Sequence, residues 1–257
     1  MDSDVDESDA ALAARLADSA GRLLLDHRAA LFAQHHDSQA LKDAADALAQ
    51  GWLAQALRSA RPTDAVLSEE AVDDLARLDA SRVWIIDPLD GTREYARAGR
   101  VDWAVHVALW EADRGLTAGA VAVPAEGLLL ATVEVQPVVP RDEERPLKVV
   151  VSGSRTPVVI GPLSEVIPLE VTTWGSAGAK AARVITGEAD LYLHDSALNE
   201  WDAAAPVAVA HAAGLVTVGL DGRPLEFNRR DTVTGGLVMG RAADVERVVI
   251  ALAELGA

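Results

Sequence analysis

Three short stretches of this chain place carboxylates where local structure could hold them still. In Trp84-Ile85-Ile86-Asp87-Pro88-Leu89-Asp90-Gly91-Thr92 an apolar strand delivers Asp87 at its end, Pro88 fixes the exit angle, and Asp90-Gly91 makes a turn. Asp87 and Asp90, three apart across that turn, can point into one space, and the Leu89 carbonyl can join them. Leu67-Ser68-Glu69-Glu70 has the same form, and in Trp201-Asp202-Ala203-Ala204 an acid opens a helix. Each has an ordinary explanation taken singly: a turn, a solvated helix start, a helix N-cap. Together they set acids among apolar residues. Carboxylates within about 4 Å of one another repel or take up protons unless cations lie between them. An all-oxygen set without His or Cys points to Mg²⁺ or Mn²⁺, and two such ions about 3.5–4 Å apart would make the arrangement used in phosphoryl chemistry.

Other chemistries fall away. The 257 residues include no cysteine, which removes disulfides, thiolate catalysis, zinc–thiolate sites and iron–sulfur clusters. Nucleophile-elbow and zinc-helix motifs are absent, and Gly175-Ser176-Ala177-Gly178-Ala179-Lys180 lacks the ending of a P-loop. The adjacent His35-His36 pair reads as surface, and Asp2, Asp4 and Asp6 with Glu7 as a solvated acidic tail. A formal charge of −17 argues against nucleic acid as a partner. No apolar run could span a bilayer, and the acidic start is the reverse of a signal peptide's, so a soluble cytoplasmic protein is expected.

The elements that must position the acids follow from periodicity. Leu12, Leu16, Leu23, Leu24 and Leu31 predict one helix; Leu48, Trp52, Leu53 and Leu57 predict a second that ends at Arg61-Pro62. Strands are predicted at 65–67, 83–86, 103–110, 118–123, 128–133, 147–151, 190–193 and 215–218, and helices at 177–186, 202–213 and 242–255. The class is mixed α/β (α+β) with layered sheets. The polar, proline-bearing stretch 138–146 reads as a linker between an N-terminal lobe (1–140, carrying Glu69, Asp87 and Asp90) and a C-terminal lobe (147–257, carrying Asp202) of one compact unit. Trp84, Trp103 and Trp110 are expected in the core, and Trp201 beside the acids.

The order and spacing of these motifs, with Gly175-Ser176-Ala177 and Asp221-Gly222-Arg223-Pro224-Leu225, resemble the inositol monophosphatase superfamily of lithium-sensitive, Mg²⁺-dependent phosphatases. Ser68-Glu69-Glu70 and Gly91-Thr92-Arg93-Glu94-Tyr95 are most similar to its 3′(2′),5′-bisphosphate nucleotidase (CysQ-type) branch. The resemblance implies an α-β-α-β-α layered sandwich, two or three Mg²⁺ ions, and a monomer or homodimer acting on a small phosphorylated substrate. Glu69, Asp87, the Leu89 carbonyl, Asp90 and Asp202 match metal ligands. Thr92 matches the hydroxyl that orients the attacking water, with Asp46 behind it and Asp43 as a rival. One metal, at Glu69, Asp87 and Leu89, would present water; a second, at Asp87, Asp90 and Asp202, would stabilise the leaving oxygen. Leu89, Asp90, Gly91, Thr92 and Asp202 would also touch substrate, with Ser176, Lys180 and Arg183 meeting a second phosphate. The expected reaction is removal of the 3′-phosphate from 3′-phosphoadenosine 5′-phosphate, and of the same group from its phosphosulfate analogue, in sulfate assimilation. Inositol-1-phosphate and fructose-1,6-bisphosphate are alternative substrates, and a non-catalytic metal-binding module is the alternative of another class.

Overall fold

The computed structural model describes residues 7–33, 38–73, 75–138 and 145–256. The His35-His36 pair, most of the acidic start and most of the linker stretch therefore lie outside the described residues; Glu7 is paired with Arg15 at 2.7 Å.

Two long helices, α1 (Asp9–Ala33) and α2 (Ser38–Ala60), come first. Five strands then build one sheet in sequence order: β1 (Ala65–Ser68), β2 (Arg82–Asp90), β3 (Ala104–Glu111), β4 (Gly115–Val123) and β5 (Leu128–Ala131). The four-residue α3 (Thr92–Tyr95) follows β2 directly. The second half supplies β6 (Leu147–Ser152), α4 (Ile160–Val166), β7 (Leu169–Trp174), α5 (Ala177–Ile185), β8 (Leu191–Asn199), α6 (Glu200–Ala212), β9 (Val216–Val218), β10 (Val233–Gly240) and α7 (Ala242–Leu255). Its sheet has the order β7-β6-β8-β10-β9.

Alternation along the strands produces the layers. On β2, Trp84 and Ile86 pack with Leu12, Leu16 and Leu53 of α1 and α2, whereas Val83 and Ile85 join Ala181, Ala182, Ala204 and Ala205 of α5 and α6. Val150 and Tyr192 close that central layer from the second sheet; Val149, Val151, Leu191 and Leu193 turn outward onto Leu163 of α4 and Val248 of α7. The layers are thus α-β-α-β-α, as the resemblance implies. Alanines let the two central helices lie close to both sheets: a Cβ on Gly119 of β4 would come within 2.7 Å of the Ala208 Cβ.

Three elements are not evident in the sequence reading. β7 has mostly exposed residues, α4 is short with Gly161 and Pro162 inside it, and Gly235-Gly236 interrupts the apolar pattern of β10. Trp84 and Trp103 are buried, while Trp110 is only half-buried against the central layer. Tyr95 is a core residue, its hydroxyl donating to the Leu24 carbonyl at 2.9 Å.

Candidate active site

Strict alternation would send Asp87 and Asp90 to opposite faces of the first sheet. Their pairing with β3 prevents this: Asp87 lies opposite His106 and Asp90 opposite Ala104, so two residues of β2 face one of β3. That bulge adds one residue and returns Asp90 to the face of Asp87. Pro88 fits there because a bulge needs no donor from it. Leu89 turns to the α1–α2 side, while its N–H donates to Asp87 Oδ1 at 3.0 Å. Glu69 follows β1, whose parallel pairing brings Ser68 beside Ile86 and the Glu69 N–H to the Ile86 carbonyl.

Asp202 arrives from the middle layer. The helix begins before it, with Asn199 as N-cap, and Asp202 stands in the first turn, accepting the Asn199 N–H at 2.8 Å through Oδ2. Carboxylate oxygens of Asp87, Asp90 and Asp202 lie within 4.8 Å of one another. Glu69 stands at the exposed rim, close enough to hydrogen-bond Asp87. Burial first, then mutual repulsion, pushes Glu69 up to about 7, Asp202 to about 6, and Asp87 well above the usual carboxylate range.

A divalent cation suits this arrangement. Asp87 Oδ2 is buried and has no hydrogen-bond partner among the described residues. The donors are all oxygens, the preference of a hard ion such as Mg²⁺ or Mn²⁺. Without one, Glu69, Asp87 and Asp202 relieve their repulsion by taking up protons.

Asp90 differs from its neighbours. Burial opposes its charge, yet His106, Lys180 and the Gly178 N–H hold it below the usual range. Its Oδ2 accepts Gly178 N–H at 2.6 Å and lies 3.2 Å from His106 Nε2. The His106 Nδ1 meets the Trp201 carbonyl at 3.0 Å, so this fully buried imidazole spans from β3 to the first turn of α6. Sequence reading misses His106, because only strand register places it opposite Asp87. It also misses Asp102, whose carboxylate takes the Gly175 N–H at 2.7 Å and so holds the loop before α5.

Gly178 has no room for a side chain: a Cβ there would meet His106 Nε2 at 2.2 Å and the Ala104 Cβ at 2.7 Å. Gly178→Ala is expected to lift α5 from the first sheet and cost about 1–3 kcal/mol through overpacking. Thermal unfolding checks this; an unchanged midpoint would contradict the packing described.

The remaining predicted residues divide. Thr92 stands beside the acids, its hydroxyl donating to the Leu89 carbonyl at 3.2 Å. Asp46 is half-buried, and burial followed by Glu70 and Asp43 raises its pKa to about 7; Asp43 is exposed. No hydrogen bond joins Asp46 to Thr92 among the described residues. Gly91, at φ +87, lies so near Ser176 that a Cβ would come within 2.9 Å of the Ser176 Cβ. Ser176 caps α5 by accepting the Ala179 N–H at 3.0 Å. Lys180 is buried, with Nζ donating to the Gly175 and Ser176 carbonyls, and burial lowers its pKa against the pull of Asp90 and Asp202. Arg183 is engaged elsewhere: its guanidinium pairs with Glu126 and Glu188 and lies 4.3 Å over the Trp174 ring, and it is not among the residues that bound the cavity beside the acids. A cavity of about 370 Å³ adjoins the cluster, bounded by Asp90, Thr92, Arg93, Lys180, His194 and Asp202. Arg100, a partly exposed residue, donates to Asp102 at 2.7 Å. Trp201 packs against the central layer.

Comparison with known proteins gives consistent findings. The sequence profile of the inositol monophosphatase family matches residues 5–253. A Mycobacterium leprae protein named 3′-phosphoadenosine 5′-phosphate phosphatase is 46% identical over 245 residues, which is 91% of this chain and 90% of that one. The Escherichia coli 3′(2′),5′-bisphosphate nucleotidase CysQ is 30% identical, over 74% of this chain and 80% of its own. The crystal structure of CysQ from Bacteroides thetaiotaomicron superposes with a TM-score of 0.73 at 23% identity, covering 92% of this chain and 98% of that one. Among the described residues no helix is long and apolar enough to cross a membrane.

Proposed function

The chain belongs to the inositol monophosphatase family, and from that premise we propose that it removes the 3′-phosphate of 3′-phosphoadenosine 5′-phosphate. It is a hydrolase of phosphate monoesters, of a metal-dependent family. The observation that carries the reading is the convergence of Asp87, Asp90 and Asp202 beside a cavity of about 370 Å³. The identity to relatives bearing that substrate's name supports the choice of nucleotide.

Glu69, Asp87, the Leu89 carbonyl, Asp90 and Asp202 would hold Mg²⁺. Bound there, Mg²⁺ supplies charge neutralisation at the phosphoryl oxygens and acidifies water. The chain's own groups do the rest. Thr92, the residue after the Gly91 turn, would orient the attacking water, with Asp46, half-buried near Glu70, behind it. His106 and the Gly178 N–H keep one Asp90 oxygen engaged, leaving the other for the cation. Lys180 lines the cavity together with Asp90 and Asp202 and would bring a positive charge to an anionic substrate there. With −17 overall, attraction of a phosphate depends on that local balance.

Phosphate release is to be measured with 3′-phosphoadenosine 5′-phosphate, inositol-1-phosphate and fructose-1,6-bisphosphate, each with and without Mg²⁺. The expected result is Mg²⁺-dependent turnover with kcat/KM highest for the nucleotide. A higher value for either sugar phosphate would overturn the substrate assignment, and turnover unaffected by chelator would overturn the metal.

A further inference from the structure

Two buried charges take no part in the chemistry above. Arg77 is 1% exposed and Glu200 is 0% exposed. The Arg77 guanidinium donates to Asp73 at 2.7 Å, to Asn228 Oδ1 at 2.7 Å and to the Arg229 carbonyl at 2.8 Å. Asn228 answers through Nδ2 to the Arg77 carbonyl at 3.2 Å. On its other side, Glu200 accepts the Asn228 and Arg229 N–H groups, each at 2.7 Å. Guanidinium, amide side chain, two backbone amides and carboxylate form one continuous bridge.

The backbone takes a left-handed turn at Asn228, in the middle of the bridge, and at Leu75, two residues before Arg77. Leu75 (φ 61) and Asn228 (φ 58) are the two non-glycine residues with positive φ among the described residues. A left-handed conformation at such residues persists where surrounding contacts over-determine it. A bulky Leu carries more of that strain than Asn does.

Chain order shows what the bridge joins. Arg77 lies on the segment that runs from Glu69 to β2, and Glu200 occupies the first turn of α6, two residues before Asp202. These two segments bring Glu69 and Asp202 to the acid cluster from opposite ends of the chain. Without a fixed spacer their mutual repulsion would push them apart.

We propose that Arg77, Asn228 and Glu200 are positioning residues, which hold the Asp202 end of α6 in register with the Glu69 segment so that both acids reach the cation site they share with Asp87. This rests on the reading of those acids as metal ligands. The bridge touches neither substrate nor metal; it acts through the backbone of the two segments.

Two variants test it. Asn228→Gly keeps the left-handed backbone at no steric cost and deletes both side-chain bonds to Arg77. Glu200→Gln keeps the shape but turns an amide NH₂ toward one of the two N–H groups. Mn²⁺ binding to each purified protein is followed by the electron paramagnetic resonance signal of free Mn²⁺, alongside thermal unfolding and the Mg²⁺ dependence of phosphate release. Folded Asn228→Gly protein is expected to bind Mn²⁺ about tenfold more weakly, as with other groups that orient metal ligands. Its half-saturating Mg²⁺ should rise by a similar factor, with kcat at saturating Mg²⁺ little changed. Wild-type Mn²⁺ affinity in the folded variants would overturn the proposal and leave the bridge a stabiliser of the fold. Should Glu200→Gln fail to fold, Asn228→Gly decides alone. Wild-type protein that binds Mn²⁺ yet releases no phosphate would defeat the phosphatase reading, while the affinity comparison would still judge the bridge.

Discussion

Asp87→Asn is expected to lower Mg²⁺-dependent phosphate release by about a thousandfold or more while making the metal-free protein harder to melt. The first half follows from position. Asp87 is 1% exposed, clusters with Asp90 and Asp202 beside Glu69, and presents an oxygen with no hydrogen-bond partner among the described residues. A metal ion is worth several kcal/mol of transition-state charge stabilisation, Asp87 would help hold it, and each 1.36 kcal/mol is about a decade in rate. The second half follows from burial. Desolvation and three neighbouring acids raise the Asp87 pKa, so its charged form opposes folding. An asparagine retains an acceptor for the Leu89 N–H and turns an NH₂ toward Glu69, replacing repulsion by a hydrogen bond. Unfolding with chelator and steady-state kinetics check the two halves. Near wild-type turnover would refute the ligand role; a lower melting point without metal would refute the electrostatic account.

Without metal, the melting temperature should fall as pH rises from about 4 to about 7, the reverse of ordinary acid denaturation. Glu69, Asp202 and Asp46 start from 4.5, 3.8 and 3.8 in the open chain and reach about 7, 6 and 7 when folded. Across that window these acids, joined by Asp87, keep protons in the folded chain that the unfolded chain has lost, so they lower stability as pH rises; His27, His194 and His211, whose burial lowers their values, pull the other way only towards the upper end. Acids paired with arginine, such as Asp9, Asp73, Asp102 and Asp190, have lowered values and lose their contribution only as the medium becomes more acidic still. Saturating Mg²⁺ should reverse the slope, since a cation binds the deprotonated cluster and stabilises the state that holds it. Calorimetric scans across this range, with chelator and with Mg²⁺, give the comparison. A metal-free midpoint that climbs with pH would contradict the raised values.

The sequence makes legible what depends on local pattern. Alternation along 83–86 gives β2 and its two faces, and the Asp-Pro-Leu-Asp-Gly-Thr run marks where the strand stops being ordinary. Residues that act through distant partners escape such reading. Lys180 and Arg183 are three apart on α5, which suggests one shared role. Glu126, from the turn between β4 and β5, and Trp174 instead capture Arg183. His106 looks like one more residue of an apolar strand until register sets it against Asp87. Arg77 and Glu200 resemble surface charges in the sequence, and only the fold places both in the interior. Short or exposed elements escape for another reason: β7 buries little, so no apolar rhythm is required of it.

The extra residue in β2 also fixes how far apart the two acids sit along the strand. Loss of one residue between Asp87 and Asp90 would restore plain alternation and keep both acids on one side, at the cost of the Leu89 carbonyl that Thr92 contacts. Gain of one would also give an even spacing and the same side, but would carry the second acid past Ala104 and away from the Gly178 N–H and His106 that meet it now. A shortened strand would lose a carbonyl from the turn, and a lengthened one the grip on its second charge.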